Sequence, residues 1–121
     1  MAEKKNELLK VTFELALKVI DFCELLESKR KYVIARQLLK AGTSIGANSQ
    51  EAQGAESRAD FIHKIKIAYK EAKETAYWLT LCQYSQYYPT PPDDLQKLST
   101  SAKKILGKIL STAKQNQNRE R

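Results

Sequence analysis

A chain of 121 residues, 42% of them hydrophobic, with three prolines and four glycines, can bury a core without metal or disulfide staples and lacks the turn chemistry of a many-stranded β fold. No segment has the apolar run of a membrane span, and Met1 to Asn6 lacks that of a signal peptide, so a cytoplasmic protein without membrane contact is expected. The net charge of +7 is unevenly placed: 28–50 holds Lys29, Arg30, Lys31, Arg36 and Lys40 with no acid, and 95–121 sets seven bases against Glu120, a distribution that fits a polyanionic partner.

Leu8, Thr12, Leu15, Val19, Phe22 and Leu26 step by alternating fours and threes, which keeps them on one face of a helix expected over 4–27. Leu9, Ala16, Ile20 and Cys23 widen that face, while Glu7, Glu14 and Asp21 recur every seven residues as an acidic stripe on the polar side. The polar run Ser28 to Lys31 breaks the pattern and is short enough to imply an antiparallel hairpin. A second helix over 32–55 carries the most distinctive stretch, Gln37 to Glu51. There Ile34, Leu38, Ala41, Ile45, Asn48 and Ala52 hold the same rhythm, which puts an amide in an apolar seam. Gly42 and Gly46, four apart, leave a groove for another backbone.

Ser57 opens a third helix, 58–87, with Asp60 in the place of a capping-box acid. Phe61, Ile65, Ala68, Ala72, Thr75, Leu79 and Cys82 form its core face. A second stripe, Ile67, Glu71, Glu74, Trp78 and Leu81, is more than one helix of a small bundle needs, and Trp is typical of interface centres. Ile67, Trp78 and Leu81, with Gly42 and Gly46, are therefore the expected contacts between copies. Tyr84, Tyr87 and Tyr88 close the helix before Pro89. Thr90 is the expected N-cap of a fourth helix, 91–114, with Pro91 in its first position. It turns Leu95, Leu98, Ala102, Ile105 or Leu106, Ile109 and Ala113 inward and carries Lys97, Lys104 and Lys108 along one flank. The tail, 115–121, has no apolar stripe and is expected to fray. Four helices with short links make an all-α, antiparallel up-down-up-down four-helix bundle, a single domain over 1–121.

Catalysis needs convergent reactive groups, and the sequence offers few. His63 is the one histidine, no serine sits in a G-x-S-x-G elbow, and the Gly42–Gly46 region lacks the ending of a phosphate loop. Glu71 and Glu74 share a face as iron-binding carboxylates do, but the matching Glu-x-x-His pairs are missing. Cys23 and Cys82 fit no metal spacing and read as buried, reduced thiols. The expectation is a non-enzyme without metal or cofactor. Asn48 must find partners, because an unsatisfied buried amide costs about 1–3 kcal/mol. Ser44, Thr43 and Glu51 are near enough to share a network with it, and such a group commonly fixes register.

These same residues carry a resemblance. Gln37-Leu-Leu-Lys-Ala-Gly-Thr-Ser-Ile-Gly-Ala-Asn48, Glu51-Ala52, Ser57-Arg58, Asp60-Phe61-Ile62, Lys64 and Lys70 to Leu79 resemble the bacterial four helix bundle protein family. It is also called the ribosomal-RNA intervening-sequence protein family, because some members are encoded within insertions in large-subunit ribosomal RNA genes. The chain departs from the commoner wording at Lys40, Ala41 and Ser49-Gln50. The resemblance implies a ring of bundles, best supported as a pentamer. It also implies similarity in fold to the accessory protein of diversity-generating retroelements, a basic pentamer that binds a reverse transcriptase and structured RNA.

Charge and resemblance together lead to a homo-oligomer that binds nucleic acid, structured RNA above all, through Arg36, Lys40, Lys97, Lys104 and Lys108. Lys29, Arg30 and Lys31 assist at the rim, and a reverse transcriptase is a further candidate partner. No aromatic platform is interleaved with these bases, so sequence-specific readout of single strands is not expected. The alternative is a protein-interaction scaffold that uses the Trp78 stripe and binds no nucleic acid.

Overall fold

The protein is described here by a computed structural model covering residues 2–120, with side chains from 7 to 116. Among the described residues run four helices and no strand: α1 (Ala2–Ser28), α2 (Tyr32–Gln53), α3 (Arg58–Tyr84) and α4 (Asp93–Glu120). Each packs on its chain neighbour, and α4 closes back on α1. No Cα of α1 comes within 8 Å of one in α3, nor α2 of α4, so the four helices stand at the corners of a square. This is the expected up-down-up-down bundle.

The seam of α1 from Leu8 to Leu26 is buried at every expected position, and Ile65, Ala68, Ala72, Thr75, Leu79 and Cys82 meet it from α3. Burying these apolar rows is what holds the helices; propensity alone would leave them marginal. In α2 four of the six expected seam positions, Leu38, Ala41, Ile45 and Ala52, are inside, and at the other two the neighbouring residue is buried in place of the expected one. Ala35, Leu38, Ala41, Gly42, Ile45, Ser49 and Ala52 are inside, while Ile34 and Asn48 are half-buried. Ser49 is thus the polar residue in the core, and its hydroxyl donates to the Ile45 carbonyl one turn back at 2.8 Å.

Gly42 explains the offset. A Cβ on it would stand 2.7 Å from Val19 Cγ1 and 2.8 Å from Cγ2, so α1 and α2 approach through the missing side chain. The close approach expected of Gly42 between copies is spent inside the chain, and its assignment to an oligomer contact is corrected. Gly46 also faces α1, with Thr12 3.5 Å from where its Cβ would be.

The hairpin turns connect these elements tightly. After Ser28, Arg30 N–H donates to Glu27 O at 2.9 Å and Lys31 N–H to Leu26 O at 2.8 Å, with Arg30 left-handed at φ 62. This is a Schellman ending with arginine in the place glycine usually takes, a strain of about 1–2 kcal/mol. α2 stops at Gln53, two residues early, where Gly54 and Ala55 bond three residues back to Glu51 and Ala52 at 3.1 and 3.2 Å. Ser57 caps α3 by accepting from Asp60 N–H at 3.0 Å. Asp60 accepts in return from Glu56 N–H at 3.3 Å, one residue outside the usual capping box.

Two boundaries differ from expectation for identifiable reasons. α3 ends at Tyr84 because Ser85 turns extended and its hydroxyl accepts from Tyr87 N–H at 3.1 Å. α4 starts at Asp93, after both prolines, because Pro92 bars the residue before it from helical backbone. The Pro92 carbonyl then accepts the first helical bond, from Gln96 at 3.2 Å. At its other end α4 stays helical through Glu120 instead of fraying at 115, as no Gly or Pro interrupts it and Lys114, Gln115 and Gln117 favour helix. Arg121 lies outside the described residues.

Candidate nucleic-acid interface

Along α4 the buried positions Leu95, Ala102 and Leu106 define the inner side, which sends positions 97, 104 and 108 to the opposite one. Lys97, Lys104 and Lys108 are exposed, and among the described residues none of them forms an ion pair. At 1.5 Å per residue the row is about 16 Å long. The acids nearest in sequence are at the start of the helix, where Asp94 is held by Lys18 of α1 at 3.0 Å. That hydrogen bond raises the lysine and lowers the carboxyl from their ordinary values. It lies in open solvent and joins α4 to α1 without neutralising the lysine row.

Arg36 and Lys40 stand one turn apart on the exposed side of α2. Because α2 and α4 are diagonal, the five expected bases do not form one patch: α4 offers three and α2 two, on opposite corners. Lys29, Arg30 and Lys31 form a third group at the α1–α2 turn, where Lys31 Nζ lies 5.0 Å from the centre of the Tyr88 ring.

The polar group expected around Asn48 does not form a side-chain network. Asn48 Nδ2 donates to Ser44 O at 2.9 Å, Ser44 donates to Lys40 O at 2.6 Å, and Glu51 pairs with Lys64 of α3 at 3.3 Å. The Glu51–Lys64 pair does tie α2 to α3. Of the expected interface residues on α3, Ile67 and Trp78 are half-buried and Leu81 is 39% exposed. The Trp78 indole N–H donates to Glu74 Oε1 at 3.4 Å, and its ring meets Tyr77 edge-on with centroids 5.4 Å apart.

α1 also presents an apolar outer face, to which Ile20 belongs instead of widening the core face as expected. Phe13 is 65% exposed, Leu17 49% and Ile20 41%, with Leu39 of α2 at 38%. Beside them Leu9, Ala16, Thr43, Gly46 and Ala47 line a shallow groove of about 540 Å³. The signal was present: Leu9, Phe13, Leu17 and Ile20 repeat at helical spacing as a second apolar row.

Cys23 and Cys82 are both buried and free. Burial pushes the Cys23 thiol up to about 12, with Glu27 adding to it, and raises Cys82 as well. They sit on the diagonal helices α1 and α3, too far apart at Cα for a disulfide. Among the described residues no cluster of His, Cys, Asp or Glu could hold a metal ion, and no helix is long and apolar enough to cross a membrane.

Comparison with known proteins bears on this geometry. No curated protein matches the chain. A crystal structure of a protein of unknown function from the S23 ribosomal protein family of Bacteroides thetaiotaomicron superposes with a TM-score of 0.82 at 39% identity, covering 89% of this chain and 98% of that one. The profile of the 23S rRNA-intervening sequence protein family matches residues 4–111. On that match over nearly its whole length, the chain belongs to the 23S rRNA-intervening sequence protein family.

Proposed function

We propose that the protein is a non-catalytic, homo-oligomeric basic bundle that binds structured RNA. The observation that carries this reading is the row of Lys97, Lys104 and Lys108 on the outer side of α4. Three cations along one straight helix, unpaired among the described residues, suit a phosphate backbone, whose contacts dominate such affinity. The family description, which names an intervening sequence of 23S rRNA, supports an RNA-related role. Repetition of the row in an oligomer multiplies the charge presented to one RNA.

Self-association has support of its own. The exposed parts of Phe13, Leu17, Ile20 and Leu39 amount to an apolar area on the order of 400 Å², close to the apolar share of one side of a standard interface. A second copy of this chain covering that face accounts for it. The same face favours a second reading, a protein scaffold without RNA.

Fluorescence anisotropy of a labelled structured RNA across a salt series separates the two. Wild type should bind at low salt and weaken as salt rises; Lys97→Glu, Lys104→Glu and Lys108→Glu together should abolish binding and leave the oligomer intact. No binding by wild type at low salt, or undiminished binding by the triple variant, would sink the RNA reading. Light scattering should give a multiple of the 13.8 kDa chain, five copies by the family resemblance. Phe13→Ser with Leu17→Ser should lower that mass, and Trp78→Ala in parallel tells whether the α3 stripe shares the contact. A reverse-transcriptase gene next to this one would make the protein a retroelement accessory; a surrounding rRNA operon would make it an intervening-sequence product.

A further inference from the structure

The α1–α2 turn and the α3–α4 connection lie at the same end of the bundle, and the Lys31–Tyr88 contact at 5.0 Å fastens one to the other. Bases and tyrosines that are far apart along the chain thus meet at one end. Tyr84 is 81% exposed and Tyr87 72%, the first and third most exposed large apolar side chains among the described residues. Both are presented on fixed backbone. Tyr84 occupies the last turn of α3, and Tyr87 N–H is tied to the Ser85 hydroxyl at 3.1 Å. At the same end the α1–α2 turn offers Lys29, Arg30 and Lys31, all in a stretch without an acid from 28 to 50. Arg30 holds the left-handed φ of 62 where glycine would be unstrained.

We propose that this end of the bundle is a stacking platform for unpaired nucleotides of RNA. The proposal rests on the RNA-binding reading and names the part of the RNA that is gripped here. An exposed tyrosine ring accepts a base face of any sequence, and lysine or arginine beside it takes the adjoining phosphates. Bases in a duplex are already stacked on one another, so the ligand class is loops, bulges and single strands. The lysine row of α4, in contrast, has no exposed aromatic partner along its length and suits helical RNA. Tyr88 has a different part: it is half-buried and positions Lys31.

The test compares two labelled probes on the full-length protein in one buffer, a twelve-nucleotide oligouridine and a blunt RNA duplex of the same length. Because both rings are exposed, Tyr84→Ser with Tyr87→Ser should fold normally, as a thermal melt can check. The pair should bind oligouridine about thirtyfold or more weakly, the low end of two lost stacking contacts, and the duplex within about twofold of wild type. Tyr84→Phe with Tyr87→Phe keeps the rings and should restore oligouridine binding. Equal losses on both probes, or an unchanged affinity for oligouridine, overturn the platform. If wild type binds duplex and ignores oligouridine, the platform is wrong and RNA binding survives. If it binds neither, both readings fall.

Discussion

α2 and α4 stand on opposite corners of the bundle and share the surplus of positive charge, yet they are built by different rules. α2 is a fitted part. Between Leu38 and Ile45 its inner row is small, and Val19 of α1 fills the place of a missing side chain at Gly42. α4 also mixes large and small on its inner side, Leu95 and Leu106 with Ser99 and Ala102, but its one glycine, Gly107, leaves an ordinary 3.5 Å to Tyr69, and its outer side carries lysines. The stretch that looks most distinctive in the sequence therefore does packing, and the proposed RNA contacts fall on the more ordinary helix.

Gly42→Ala is the sharpest way to break this contrast. The new methyl would meet a β-branched side chain on fixed backbone, so a loss of about 1–3 kcal/mol is expected in urea melts despite alanine's better helix propensity. Gly46→Ala, with Thr12 at an ordinary 3.5 Å, should be neutral or stabilising by up to about 1 kcal/mol. Similar effects at both glycines would remove the special role given to Gly42.

The outer sides can be compared through salt dependence. Replacing Lys97, Lys104 and Lys108 with alanine should reduce the slope of log affinity against log salt by about 3, one for each phosphate contact. Arg36→Ala with Lys40→Ala should change it by less than about 1, since a straight RNA lying along α4 does not reach the diagonal corner. Equal slopes would mean that RNA wraps the bundle. A smaller effect is expected at the turn. Arg30→Gly should raise stability by about 1 kcal/mol in the same melts by relieving the left-handed arginine, while weakening RNA binding through the lost charge.

Smallest at neutral pH is the contribution of Cys23. Its thiol is raised in the folded protein to about 12 from an ordinary 9.0, so the folded state keeps a proton that the unfolded chain releases. The resulting stability is present in full below pH 9 and fades as pH climbs toward 12. Melts between those values should slope less steeply for Cys23→Ala than for wild type.

How much of this was legible depended on contrast between neighbours. Along α1, leucines alternate with charges, and the buried row could be read residue by residue. In α2 nearly every side chain from Ala41 to Ser49 is small, so a seam through Asn48 and one through Ser49 look equally good until Val19 is placed opposite Gly42. The double proline before α4 was misread by taking the first proline as a helix start, when the second forbids it. The aromatic end of the bundle could not be seen at all, because Lys31 and Tyr88 become neighbours only through the fold.

The closure of α4 onto α1, with Lys18 and Asp94 bonded across the seam, makes the order of the helices around the square independent of which helix the chain enters first. A permuted chain, cut between Gln53 and Arg58 and rejoined through a flexible linker between α4 and α1, would retain every helix–helix pairing. Cut and linker would both fall at the end away from Lys31 and Tyr88. The end that carries both connections and the proposed platform would stay untouched, and the other end is the natural place for a tag, a dye or a fused domain.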